Sequence, residues 1–292
     1  MTAEPILSFA ALRNRLVVSG ELVALTALRI GAGRNTSVID SELPVLRDAL
    51  GAPFVPGASL KGSLRSQVEA LIAAFDPDQA RDMRATEDLM RGEIAGIIAE
   101  DRDDLARTHA LLRSSTVIDK TFGAPWLAGR VFVRDALVDH SLWFGQFEQR
   151  NGVALNRDTE TAQSGLLYEY EVVPAGTRFA FELTIENAED WQFGMLLVAL
   201  QPWIEGRAQI GGFRSRGLGY VQLAAPRFRY VALSTPDDAL RLTCDDATLQ
   251  RLGISPPDTS LSDERRDAWL TAFRAELHAI VDRRAADAAP TA

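Results

Sequence analysis

Cysteine is nearly absent. Cys244 is the only one in 292 residues, so no internal disulfide framework is available, and a reducing cytoplasm is the expected location. The three histidines, His109, His140 and His278, stand far apart with no cysteine near any of them, so no zinc site of the usual Cys/His spacing is expected. No run reaches the ~18 uninterrupted apolar residues that a membrane span needs. The opening "MTAEPILSFAALRNRL" lacks a basic stretch followed by an apolar core, so neither a secretory signal nor a membrane partner is expected. Catalytic signatures are scarce too. There is no G-x-S-x-G elbow and no H-E-x-x-H pair. "GAGRNT" lacks the sixth-position glycine and following helix of a dinucleotide site, and "GASLKGS" has the letters of a phosphate loop in the wrong order.

The chain does have a sizeable apolar fraction, 47%, with 24% charged residues, the balance of an ordinary globular protein. Its net charge of -9 is unevenly placed. Residues 76–104 hold ten acids and four arginines, and residues 245–292 hold nine acids and six arginines, which accounts for the whole excess. The rest is balanced, and residues 201–230 carry five arginines against one glutamate. Acidic helical faces thus hide a neutral body with basic stripes of the kind that phosphate binding requires.

Periodicity predicts a buried strand in 15–33, then a polar stretch and a Pro/Gly turn. From Ser59, residues Leu60, Leu64, Val68, Leu71, Ile72 and Phe75 recur at helical spacing. Residues 76–115 read as an acidic helical insertion, 129–138 as a strand, and 145–165 as a long polar irregular loop. Period-two alternation around Pro-Ala-Gly predicts a hairpin over 166–187, followed by a second core helix over 190–206. A Gly/Arg loop at 211–219 runs into strands, and an amphipathic helix over 262–284 starts at a Ser262 cap. This order suits an α+β, ferredoxin-like fold in a single elaborated domain spanning 1–292.

Two stretches carry candidate chemistry. In "GAPFVPGASLKGSLRS", Ser59 is expected to cap a helix whose first N–H groups face outward with the positive end of its dipole. Lys61 and Arg65 follow at i and i+4 on one face, away from the apolar stripe, and folding is expected to tolerate their loss. In "GGFRSRGLG", Gly211 and Gly212 permit close approach of a ligand backbone, and Ser215 lies between Arg214 and Arg216, which can fork onto phosphate. Phe213 is a candidate for stacking on a base. The bland alternatives are a solvated helix face and an exposed Gly-rich turn.

Together, "GAGRNTSVIDSELPVLRD", "PFVPGASLKGSLRS", "TFGAP" and "GGFRSRGLG" resemble the RAMP superfamily of CRISPR effector proteins. The best match is the backbone subunit of type III complexes, in a type III-D-like branch. The resemblance covers most of residues 15–225, and the last 60 residues add little to it. It implies a core like the RNA-recognition motif, with further copies of the chain and other effector subunits assembling along CRISPR RNA. Guide phosphates would then meet Arg34, Asn35, Ser59, Lys61, Arg65, Gly211, Gly212, Arg214, Ser215 and Arg216. A protruding thumb at 145–165 would part the guide–target duplex with Val153, Ala154 and Leu155 as its wedge, and Arg157 near the target. The resemblance also implies that Asp40, in "VIDSELPV", cuts target RNA with a divalent metal, Mg or Mn, which it would hold. Glu42 and Leu43 are inserted relative to the family pattern there. Asp48 is expected to pair with a nearby arginine. The rival expectations are a non-catalytic scaffold of the same family and a small-molecule enzyme on a ferredoxin-like fold.

Overall fold

The computed structural model describes residues 9–33, 42–100, 103–155 and 160–288. Strand β1 (Asn14–Ala24) buries Leu16, Val18, Leu22 and Ala24 on one face. A short β2 (Phe54–Val55) leads into α1 (Gly57–Ala73), which buries Leu60, Leu64, Val68 and Ile72 along one i, i+4 row. Leu71 and Phe75, expected in that stripe, are exposed instead; Leu71 lies in the last turn of α1, and Phe75 lies beyond its end at Ala73. The acidic segment is helical, as expected. It forms α2 (Met83–Leu89), a π turn over Met90–Ile94, α3 (Ala95–Ala99) and α4 (Asp104–Arg113). Ile94, Ile97 and Ala110 give it a small core of its own beside Trp126. A Thr116/Asp119 capping box then starts α5 (Val117–Phe122).

The expected strand over 129–138 divides into β3 (Val131–Val133) and β4 (Ala136–Leu137), of which β4 pairs with β2. Next come β5 (Glu148–Leu155), β6 (Ala162–Val172) and β7 (Arg178–Glu186), then α6 (Asp190–Ile204). Two strands follow, β8 (Ala208–Gln209) and β9 (Tyr220–Ala232), and three helices, α7 (Pro236–Thr243), α8 (Asp246–Arg251) and α9 (Asp263–Ala288). Ser262 does cap α9, accepting from the Arg265 N–H at 3.3 Å.

The main sheet runs β3-β7-β1-β9-β8 with antiparallel neighbours. Two β-α-β units, β1-α1-β3 and β7-α6-β9, interlock in it, which is the ferredoxin-like order. Helices α1 and α6 lie together, joined by Gln67, which donates to the Ala199 carbonyl (3.0 Å) and accepts from the Trp203 indole (3.3 Å). An extra residue in β9, with Ala225 at φ 45°, shifts its buried positions from Val221 and Leu223 to Phe228.

Two expectations are corrected. The described part of residues 145–165 is not irregular: β5 pairs with β6 along its length, from Glu148 opposite Val172 to Leu155 opposite Ala162. Nor do the strands flanking the Pro174–Thr177 turn form a hairpin, since β6 pairs with β5 while β7 lies between β1 and β3. Alternation reports that a strand has two unlike faces, and says nothing of which strand it pairs with.

Candidate nucleic-acid interface

Helix α1 begins one turn of chain earlier than expected, with Pro56 at the N-cap, and Ser59 makes no cap. Its first N–H, on Gly57, donates to Asp135 Oδ1 at 2.7 Å, so a carboxylate of the protein itself occupies that helix end. Only glycine fits at Gly57, because a Cβ there would lie 2.1 Å from the Val133 carbonyl oxygen. The anion site expected from free N–H groups is therefore largely closed, and what α1 offers a ligand is its flank.

On that flank Lys61 and Arg65 part company. Arg65 pairs with Glu69 (2.7 Å), donates to the Gly123 carbonyl (2.8 Å) and lies 3.7 Å from Asp119, which also holds Arg81 at 3.0 Å. It ties α1 to the end of α5. Lys61 has no hydrogen-bond or ion-pair partner among the described residues, and burial together with nearby Arg65 lowers its pKa. The exposed row of α1 is made of small residues, Ser59, Gly62 and Ser66. Gly62, Ser63 and Ser66 line one wall of a cleft of about 540 Å³, and Gly211 and Arg214 line the other. The sequence reading missed these three residues, although small side chains at 59, 62, 63 and 66 already repeat at helical spacing.

The 211–219 loop is held against β1's extension. Gly212 N–H donates to the Arg29 carbonyl (2.8 Å), and Gly219 N–H to that of Ala27 (2.9 Å). Gly211 sits at φ 79°, where a Cβ would come within 2.3 Å of the Arg29 oxygen. Phe213 adopts φ 59°, a left-handed conformation that costs a non-glycine residue of the order of 1 kcal/mol. Its ring is not a free platform for a base. It packs edge-on against Tyr170 at 4.8 Å and lies beneath the guanidinium groups of Arg29 (5.1 Å) and Arg216 (4.9 Å). Arg216 also donates to the Tyr168 hydroxyl. Arg214 is exposed and has no side-chain partner among the described residues. Arg29 went unnoticed in the sequence. Its Nε is buried with no partner among the described residues, and burial lowers its pKa.

Arg34, Asn35 and Asp40 fall in 34–41, and Arg157 in 156–159, all outside the described residues. The roots of the Asp40 loop are described. Ala32 N–H donates to the Pro44 carbonyl (3.1 Å), and Leu46 N–H to that of Ile30 (2.8 Å). Leu43 bridges to Tyr170 on β6. Glu171, also on β6, accepts from Val45 N–H (3.1 Å) and pairs with Arg47 (2.7 Å). One cluster thus joins the roots of the Asp40 loop, the base of the β5–β6 hairpin and the Gly/Arg loop. On β5, Val153 is 47% exposed, as a wedge would be, while the side chains of Ala154 and Leu155 lie outside the description. Asp48 does not meet an arginine: it accepts from Leu50 and Ala52 N–H groups (2.9 Å each) and pairs with His140 at 3.3 Å.

The profile of the RAMP superfamily matches residues 21–222, from β1 into β9. The chain belongs to the RAMP superfamily. Among its relatives, a Methanocaldococcus jannaschii protein named CRISPR system Cms endoribonuclease Csm3 is 25% identical over 220 residues, covering 72% of this chain and 79% of the relative. A protein of the same name from Methanothermobacter thermautotrophicus is 24% identical over 228 residues, 74% of this chain and 86% of that one. A third, from Mycobacterium tuberculosis, is 44% identical over 54 residues, 18% of this chain and 23% of its own. The ferredoxin-like core expected of a RAMP protein is the one observed.

Among the described residues of this RAMP chain, no three acidic, histidine or cysteine side chains gather to hold a metal ion. Of the acids near the roots of the Asp40 loop, Glu171 is engaged with Arg47 and Val45, and Asp48 with its turn. No helix among the described residues is long and apolar enough to cross a membrane.

Proposed function

We propose that the chain is a guide-RNA-binding backbone subunit of a type III CRISPR effector complex, and that it cuts complementary target RNA at Asp40. The observation that carries this is the cleft in which the small-residue row of α1 faces Gly211 and Arg214, beside the roots of the Asp40 loop. Small residues let a phosphodiester backbone approach the helix closely, and Arg214 and Lys61 supply cations that no group among the described residues already neutralises. Further copies of the chain and other effector subunits are the proposed protein partners, and the β5–β6 hairpin the proposed thumb.

Cleavage by a 2′-hydroxyl requires that hydroxyl to lose its proton and the developing phosphorane charge to be offset. An isolated aspartate, with an ordinary pKa near ~3.9, is a weak base at neutral pH. Asp40 is therefore proposed to hold a divalent ion, Mg or Mn, which would supply the charge neutralisation. Arg34 and Asn35 are proposed to orient the scissile phosphate.

Two measurements test this. RNA extracted from the purified protein should contain small RNAs of repeat–spacer sequence; their absence overturns the guide-binding reading. Asp40→Asn should slow target cleavage by at least ~100-fold with guide and target binding unchanged, and chelation should do the same. A variant that binds target and cuts at the wild-type rate leaves only the scaffold role.

A further inference from the structure

The chain has two lysines, and the second, Lys120, stands away from the RNA-facing cleft. It lines an open cavity of about 370 Å³ bordered by α4, α5, the residues before β3, the first turn of α6, and α9. The cleft touches the C-terminal end of α6 and this cavity its N-terminal end, a separation of about 20 Å along the helix. They are two sites.

Four cations line the cavity, Arg113, Lys120, Arg130 and Arg283, against two carboxylates, Glu189 and Glu276. Both carboxylates are engaged. Glu276 pairs with Arg283 at 3.0 Å, and Glu189 caps α6 while accepting from the Trp191 indole N–H at 2.8 Å. Arg130 donates to the Asn187 carbonyl. Lys120 and Arg113 have neither a hydrogen-bond nor an ion-pair partner among the described residues. Lys120 is half-buried on a helix whose other five residues are all buried, and burial lowers its pKa, as it does that of Arg130. An apolar or neutral residue would cost the fold less there.

Two cations in excess match a phosphate monoester, which carries about -1.5 to -2 at neutral pH. The indole N–H of Trp191 is already bound, so what this side chain offers the cavity is its ring. The volume suits a small ligand. We propose that this cavity binds a phosphate monoester joined to a planar ring, either a free nucleoside monophosphate or the phosphorylated end of an RNA.

The test is calorimetric titration of the full chain with AMP, adenosine, and a trinucleotide with and without a 5′-phosphate. AMP should bind and adenosine should not. Arg113→Gln combined with Lys120→Gln should weaken AMP at least ~10-fold, as loss of charge-assisted hydrogen bonds does, without lowering the melting temperature or the guide affinity. Arg214→Ala, in the cleft, should leave AMP binding unchanged. Tighter binding of the phosphorylated trinucleotide than of AMP identifies an RNA end as the source, and its exclusion identifies a free nucleotide. Equal binding of adenosine and AMP, no binding of any probe at ~1 mM, an unchanged double variant, or loss of AMP binding in Arg214→Ala overturns the proposal.

Discussion

Arg65 on α1 and Arg214 in the 211–219 loop look alike in the sequence, each an arginine close to glycines in a locally basic stretch. The fold uses them in opposite ways. Arg65 is enclosed by Glu69, Asp119 and the Gly123 carbonyl, and so holds α1 to α5. The Arg214 side chain borders the cleft with no partner among the described residues. The lesson concerns supply: a cation is available to RNA only where the protein has not already given it an acceptor.

The largest effect should come from disturbing the loop that presents Arg214. Gly211→Ala introduces a Cβ within 2.3 Å of the Arg29 carbonyl, whereas Gly217→Ala, also at positive φ, meets nothing within 4 Å. Guide affinity should therefore fall by more than ~10-fold in the first and only a few-fold in the second, read by filter binding. The reverse order would show that the loop's conformation is not what matters.

Arg65→Ala comes next, and its effect should be on stability. Losing a charge-assisted hydrogen bond and a partly exposed ion pair should cost roughly 1–2 kcal/mol in denaturant unfolding, with the salt dependence of guide binding unchanged. This replaces the expectation that folding would not notice Arg65. Arg214→Ala should show the converse: stability within about 0.5 kcal/mol of wild type, and a slope of log affinity against log salt shallower by ~0.7. If both variants changed the same quantity, the contrast between the two arginines would collapse.

The smallest effect lies remote from RNA. Backbone N–H groups of Ser234 and Thr235, the Thr235 hydroxyl and Arg241 hold the Asp238 carboxyl well below the usual range. A depressed folded pKa gives a contribution to stability that is complete above the unfolded value near ~3.9 and fades as pH falls through the folded value. Asp238→Asn should remove that part of the acid-side slope and leave guide binding untouched, as followed by thermal melts between about pH 5 and 2.

Much of the fold was legible because it depends on neighbours in sequence. Leu60, Leu64, Val68 and Ile72 announce a helix face, and the alternation in β7 announces a strand with one face buried. The two stretches that carry the RAMP resemblance lie on the cleft's two walls, although Gly62, Ser63 and Ser66 were not singled out. Other features were illegible for a physical reason. The carboxylate that closes α1 is Asp135, 78 residues away from Gly57. Phe213 carries no mark in sequence that Tyr170, Arg29 and Arg216 would cover it. Asp48 meets His140, not an arginine.

Local spacing by itself determined which side chains share a face, where glycine is compatible with a left-handed turn, and which family the chain resembles. Only the tertiary structure decided that β6 pairs with β5, that Arg65 is enclosed while Lys61 and Arg214 are not, and that four other segments of the chain line the cavity beside Lys120. Periodicity is a property of a segment's own backbone. The neutralisation of a charge depends on groups brought to it from distant parts of the chain.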